Sequence, residues 1–204
     1  MQALNEEVEK ISTIGYTNNK VNLDKIKKEM EGTITTRKRQ VVEEALEEYI
    51  IDLYTELDTT INLLGDKQLT NLLSPENIKN DGKEFKASKE YIKTTKESIN
   101  KNKEDLNKLL EEETIMEYIT KKDVSSKYEE MYKSLAIGTN GIPENDVKEL
   151  NSLIDKSIKV LDISEEAIEL LSTNQDKWNL TNNQVMFTDQ TLLDKYNKII
   201  KQEI

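Results

Sequence analysis

The chain has 204 residues, a net charge of −11, no Cys and no His, with 35% hydrophobic and 34% charged residues. Without Cys there are no disulfides, zinc–thiolate sites or cysteine nucleophiles; without His, the commonest general base and metal ligand at neutral pH are gone. The acidic balance, with no extended basic stripe, argues against nucleic acid and anionic lipid as partners, and a mean hydropathy of −0.72 suits slender helices with much surface around a thin core.

Residues 2–12 carry Leu4, Val8 and Ile11 at helical spacing, which predicts a short helix ended by Gly15. Tyr16-Thr17-Asn18-Asn19 is turn chemistry. Asn22 is placed to cap a helix from Leu23 to about Glu31, with Leu23, Ile26 and Met30 inward. Gly32 and the β-branched run Thr33-Ile34-Thr35-Thr36 then weaken the helix. Arg37-Lys38-Arg39 is the dense basic cluster of the chain, and Arg37 and Arg39 are its only arginines. These cations either pair with acids of another helix or contact a phosphate or an acidic partner.

From Arg39 to Leu64 the apolar residues Val42, Leu46, Tyr49, Leu53, Leu57, Ile61 and Leu64 recur in steps of three and four, flanked by Ala45 and Ile50. Such a stripe predicts a long amphipathic helix that other helices must cover. Gly65-Asp66-Lys67 closes it, Leu69, Leu72 and Leu73 add one apolar turn, and Ser74-Pro75 with Asn80-Asp81-Gly82 marks a loop. A second long helix is expected from about Lys83 to Lys122, with the seam Phe85, Ser88, Ile92, Thr95, Ile99, Asn102, Leu106, Leu109, Glu113 and Met116. The polar first half of that seam predicts a poorly buried arm, or an end that protrudes or meets a partner.

Tyr128, Met131, Tyr132 and Leu135 continue an apolar face after a kink, up to Gly138. Asn140-Gly141-Ile142-Pro143 is a loop, and Val147, Leu150, Ile154, Ile158, Leu161, Ile168 and Leu171 predict a helix to about Asn174. Trp178-Asn179-Leu180 and Val185-Met186-Phe187 alternate around Thr181-Asn182-Asn183-Gln184, which predicts a small β-hairpin. Thr188 then caps a last helix carrying Leu192, Leu193, Tyr196, Ile199 and Ile200. Thr17-Asn18-Asn19-Lys20-Val21 and Thr181-Asn182-Asn183-Gln184-Val185 agree at four of five positions, a hint of two similar turns.

The expected fold is all-α: an elongated antiparallel bundle with two long helices, roughly 36–64 and 84–122, joined by helices near 125–137 and 144–173. It is read as one domain over 1–204, with segments 1–33 and 174–204 capping one end.

No constellation forces a chemistry. Glycine-rich loops after a strand are missing, so neither a P-loop nor a dinucleotide fold is supported. Asn77–Gly82 fails as a calcium loop because Lys79 stands at a ligand position and Ser88 replaces the closing Glu. Ser98/Lys101 and Tyr16/Lys20 have dyad spacing without supporting motifs. Glu111-Glu112-Glu113 and the pairs Glu43/Glu47 and Glu44/Glu48 read as solvated helix faces whose like charges repel mildly. No catalytic, cofactor-binding or metal-binding residue is therefore assigned. Trp178 and Phe187 either plug the end of the bundle and pin the last helix or form an aromatic docking spot; the candidate partner contacts are Trp178, Phe187, Arg37, Lys38 and Arg39.

No run of about 18 apolar residues exists to span a membrane. The first residues lack the basic start and apolar run of a signal peptide, although a leader or anchor ahead of Gln2 fits the composition. Abundant Asn, Ile and Lys suggest an AT-rich bacterial or phage coding sequence. The expected function is a non-enzymatic helical interaction or structural protein, the extracytoplasmic part of a bacterial envelope-anchored protein with an unknown protein partner. The alternative is a cytoplasmic or phage-encoded assembly factor of scaffold or chaperone type; an enzyme using carboxylates alone is the third reading.

Overall fold

The computed structural model describes residues 16–17, 20–30, 39–138 and 144–203. The helix expected over 2–12, the weakened stretch at 32–36, Arg37, Lys38 and the loop at 139–143 lie outside them. Among the described residues the fold is all-α with two small hairpins. In order come β1 (Tyr16–Thr17), β2 (Lys20–Val21), α1 (Leu23–Glu29), α2 (Gln40–Leu64), α3 (Lys67–Asn71), α4 (Pro75–Asp81) and α5 (Lys86–Leu109). Then follow α6 (Glu112–Thr120), α7 (Ser126–Lys133) with a π-helical turn (Ser134–Gly138), α8 (Glu144–Thr173), β3 (Trp178–Thr181), β4 (Gln184–Phe187) and α9 (Gln190–Ile200). The chain forms two compact units. Unit 1 is Met1–Asn62 with Asn102–Lys148, and unit 2 is Leu63–Lys101 with Glu149–Ile204.

In unit 2, α5 and α8 run antiparallel in a seven-residue register. Lys89 pairs with Glu169 at 2.8 Å, and Lys96, one heptad later, pairs with Asp162 and Glu165 at 2.6 Å. Alongside these pairs Ile92 and Ile99 of α5 and Ile154, Leu161 and Ile168 of α8 share one core with Leu69, Leu72, Ile78, Phe85, Leu171 and Trp178. Each such side chain contributes roughly 1.5–3 kcal/mol on burial.

The polar half of the α5 seam is buried too, which corrects the expectation of an exposed arm: Ser88 and Thr95 in unit 2 and Asn102 in unit 1 are at most 9% exposed. Small hydroxyl side chains admit close packing, and their polar atoms find partners. Ser88 Oγ accepts from Asn77 Nδ2 at 2.9 Å. Asn102, in unit 1, accepts from Thr60 Oγ1 at 2.6 Å and donates to the Glu56 carboxylate at 2.7 Å.

Three boundaries also depart from expectation. Ser74-Pro75 opens α4 instead of a loop: Ser74 Oγ accepts from the Asn77 amide at 3.2 Å and Pro75 takes the first turn, where its missing N–H costs nothing. The second long helix stops at Leu109, not Lys122, and α6 restarts after an extended Glu111. Glu112 and Glu113 then lie in the first turn of α6, where carboxylates are favoured by the helix dipole. Asp189, not Thr188, caps α9 by accepting from the Leu192 amide at 3.1 Å, while Thr188 donates back to the Lys177 carbonyl.

In unit 1, Val42, Ala45, Leu46, Tyr49, Ile50 and Leu53 of α2 are buried as the stripe requires. Lys122 reaches Glu48 and the Tyr118 hydroxyl donates to Asp52, both at 2.6 Å, so α6 runs antiparallel to α2. Asn22 caps α1 as expected, accepting from the Lys25 amide at 3.1 Å.

The two matching pentapeptides share one pairing. Thr17 faces Lys20 and Tyr16 faces Val21, as Thr181 faces Gln184 and Leu180 faces Val185. In the second turn Asn182 and Asn183 hold φ of 54° and 58°, the left-handed geometry that Asn tolerates and a two-residue hairpin requires. A helix with a Leu-Asp-Lys sequence follows each hairpin, at Leu23-Asp24-Lys25 and Leu193-Asp194-Lys195.

Candidate functional site

Trp178 and Phe187 are cross-strand partners on the second hairpin. Trp178 is 1% exposed. Its indole N–H donates at 2.8 Å to the Leu171 carbonyl near the end of α8, which also accepts from the Asn174 amide at 3.2 Å. Its ring lies 6.0 Å from that of Phe85. Phe187 is half-buried and packs on Tyr196 at 5.2 Å between ring centroids. Both aromatic rings therefore serve the interior of unit 2. The outward residues of the strand are Gln184 and Met186, the latter 52% exposed between inward Val185 and Phe187.

Lys83 ties this end together. Its ammonium donates to the carbonyls of Gln175 and Trp178, the latter at 2.8 Å, and to Asn179 Oδ1 at 3.1 Å. It also sits 4.9 Å from the centroid of the Trp178 ring. The geometry is a cation on an aromatic face that also closes open carbonyls beyond α8. The approach depends on the turn before α5, where Gly82 has φ 74° and Phe85, a buried aromatic, has φ 54°. Asp81 secures that turn by accepting from the amides of Ala87 and Ser88 at 2.9 and 2.7 Å. Partial burial pushes its carboxyl up, but these hydrogen bonds outweigh it and hold the pKa below the usual range.

Of the basic cluster, Arg39 is described: it is exposed, just ahead of α2, and belongs to unit 1, whereas Trp178 and Phe187 belong to unit 2. Four glutamates lie within the first turns of α2. Glu43 is buried at 2% exposure, and Gln40 donates to Glu44 at 3.1 Å. Burial first, then the charges of Glu43, Glu44 and Glu48, push Glu47 up to about 6. Deeper in the same unit, Tyr132 is fully buried and its hydroxyl has no hydrogen-bond partner among the described residues.

Two open clefts are present in unit 2. One, about 800 Å³, lies along α8 and α9 and is lined by Leu170, Ile199, four carboxylates and two lysines. Its acids are already engaged: Asp162 and Glu165 by Lys96, Glu169 by Lys89, and Glu166 by Gln202. The other, about 680 Å³, is lined mainly by uncharged polar side chains. Glu47 lines neither. Among the described residues no group of three acids is placed to hold a metal ion, and no helix is long and apolar enough to cross a membrane.

Compared with protein-family models, curated proteins and solved structures, the chain matches none. Lys83 and Met186 were not singled out by sequence reasoning. Lys83 looks like any exposed lysine until the turn at Gly82 carries it over Trp178; for Met186, the alternation with Val185 and Phe187 was the available signal.

Replacing Lys83 with Met is expected to lower stability by about 1–2 kcal/mol, by leaving the part-buried Trp178 carbonyl without its donor and removing the cation from the ring. Chemical denaturation followed by the emission of the single tryptophan measures this, and Lys83→Arg is expected to recover part of the loss. For Glu47, a pKa raised above the ordinary value means the charged form is penalised in the fold. Stability is therefore gained as pH falls through about 6. Glu47→Gln is expected to be more stable than the parent at about pH 7.5, by up to about 1 kcal/mol after solvent screening, with the difference shrinking through about pH 6 and gone near pH 4, below the ordinary carboxyl value. Thermal melts of both proteins across that range supply the comparison.

Proposed function

We propose that the chain is a non-enzymatic helical interaction or structural protein, acting on the extracytoplasmic side of a bacterial envelope as part of an anchored protein. The observation that carries the reading is the second hairpin. Its inner face is locked by Trp178, Phe187 and Lys83, and its outer face holds a large apolar side chain, Met186, in solvent. A flexible thioether presented on a rigid support is suited to contact with a protein surface. The acidic, cysteine-free composition supports residence outside the cytoplasm in an organism that does not use disulfides.

The alternative is a cytoplasmic or phage-encoded assembly factor, a reading that the same acidity and helical seams support. External protease applied to intact source cells separates the two. Loss of the protein from intact cells is expected. Full protection, with the protein recovered in the soluble lysate, would overturn the extracytoplasmic reading; a concentration-dependent mass in solution would then support the assembly factor.

A further inference from the structure

We propose that unit 2 carries a binding site for a neutral oligosaccharide, in the open cleft shared by α3, α4 and the turn between β3 and β4. The cleft, about 680 Å³, is lined by Gln68, Asn71, Ser74, Asn77, Asn80 and Asn183. Its size falls within the range of small-ligand sites, about 300–1,000 Å³. Five carboxamides and a hydroxyl give it many donors and acceptors without charge. Each hydroxyl of a sugar both donates and accepts, so a ligand dense in hydroxyls meets that lining at many points. An ion does not, because the two charged residues of the lining, Lys79 and Glu76, carry opposite charges.

The side chains of Gln68, Asn71, Asn80 and Asn183 are exposed and make no hydrogen bond among the described residues, so their capacity is open to a ligand. They come from three separate elements, and each element is fixed. Asp66 caps α3 by accepting from the Gln68 amide at 2.9 Å. Ser74 caps α4, and Asn77 is held by the Leu72 carbonyl at 2.8 Å and by Ser88 at 2.9 Å. Asn183 is set by the left-handed hairpin turn. The backbone that carries these donors is therefore fixed before binding, and only their side-chain rotamers are ordered on contact. The open shape without aromatic lining implies weak affinity, in the millimolar range. The proposal stands whether the chain works outside or inside the cell.

The test titrates the isotope-labelled full chain with maltotetraose, cellotetraose and chitotetraose to about 20 mM, reading the side-chain amide signals of Asn and Gln by NMR. At least one sugar is expected to give saturable shifts at Asn71, Asn80 and Asn183. The double variant Asn71→Ala with Asn80→Ala is expected to weaken that response at least about tenfold at an unchanged melting temperature. Asn183→Gly, which keeps the turn, is expected to weaken it in the same direction. No saturable shift at these residues with any of the three sugars overturns the proposal, as does a response that the variants retain.

Discussion

Two lysines one heptad apart fix the alignment on which unit 2 depends. Lys89 with Glu169 and Lys96 with Asp162 keep a constant sum of residue numbers, the mark of antiparallel helices in one register. The energies divide unequally. A partly exposed ion pair contributes about 0–1 kcal/mol, whereas each buried Ile or Leu of the shared core contributes about 1.5–3 kcal/mol. The apolar side chains therefore supply stability, and the charges select among the registers that an apolar stripe alone would permit. Partial burial would push the Lys96 ammonium down, yet Asp162 and Glu165 outweigh it and hold the pKa above the usual value.

Polar seam residues add a second layer of selection. Ser88 must meet Asn77 in unit 2, and Asn102 must meet Thr60 and Glu56 in unit 1. A shifted register would bury these groups unpaired, at about 1–3 kcal/mol each. With its register set, α5 starts where Asp81 can cap it, and the strained turn ahead of it brings Lys83 onto Trp178. The hairpin that carries Met186 and Asn183 is thereby held by the same helix that organises the core.

Helices and their inward faces were legible in the sequence because periodicity reports burial directly. The stripe from Val42 to Leu53, the heptad of Ile92 and Ile99 and the hairpin at Trp178 all appear at the expected positions. Breaks were less legible. Ser74-Pro75 is both loop chemistry and a helix start, and nothing local decides between them. Glu111-Glu112-Glu113 is solvated as expected, but nothing in that charge run marks the break at Glu111 where α6 begins. The burial of Ser88, Thr95 and Asn102 could not be read from their polarity, because it depends on partners 11 and 42 residues away for Ser88 and Asn102. Sites were harder to read. Of the two readings open for Trp178, an interior plug or a docking spot, its burial matches the plug, while the uncommitted carboxamides of Asn71, Asn80 and Asn183 become a cleft only when three elements meet.

The register of α5 against α8 is the claim on which this account rests most, and zero-length cross-linking of lysine to carboxylate, read by peptide mass spectrometry, tests it most directly. The expected products join Lys89 to Glu169 and Lys96 to Asp162 or Glu165. Products displaced by one heptad, Lys96 to Glu169 or Lys89 to Asp162, in place of these would contradict it.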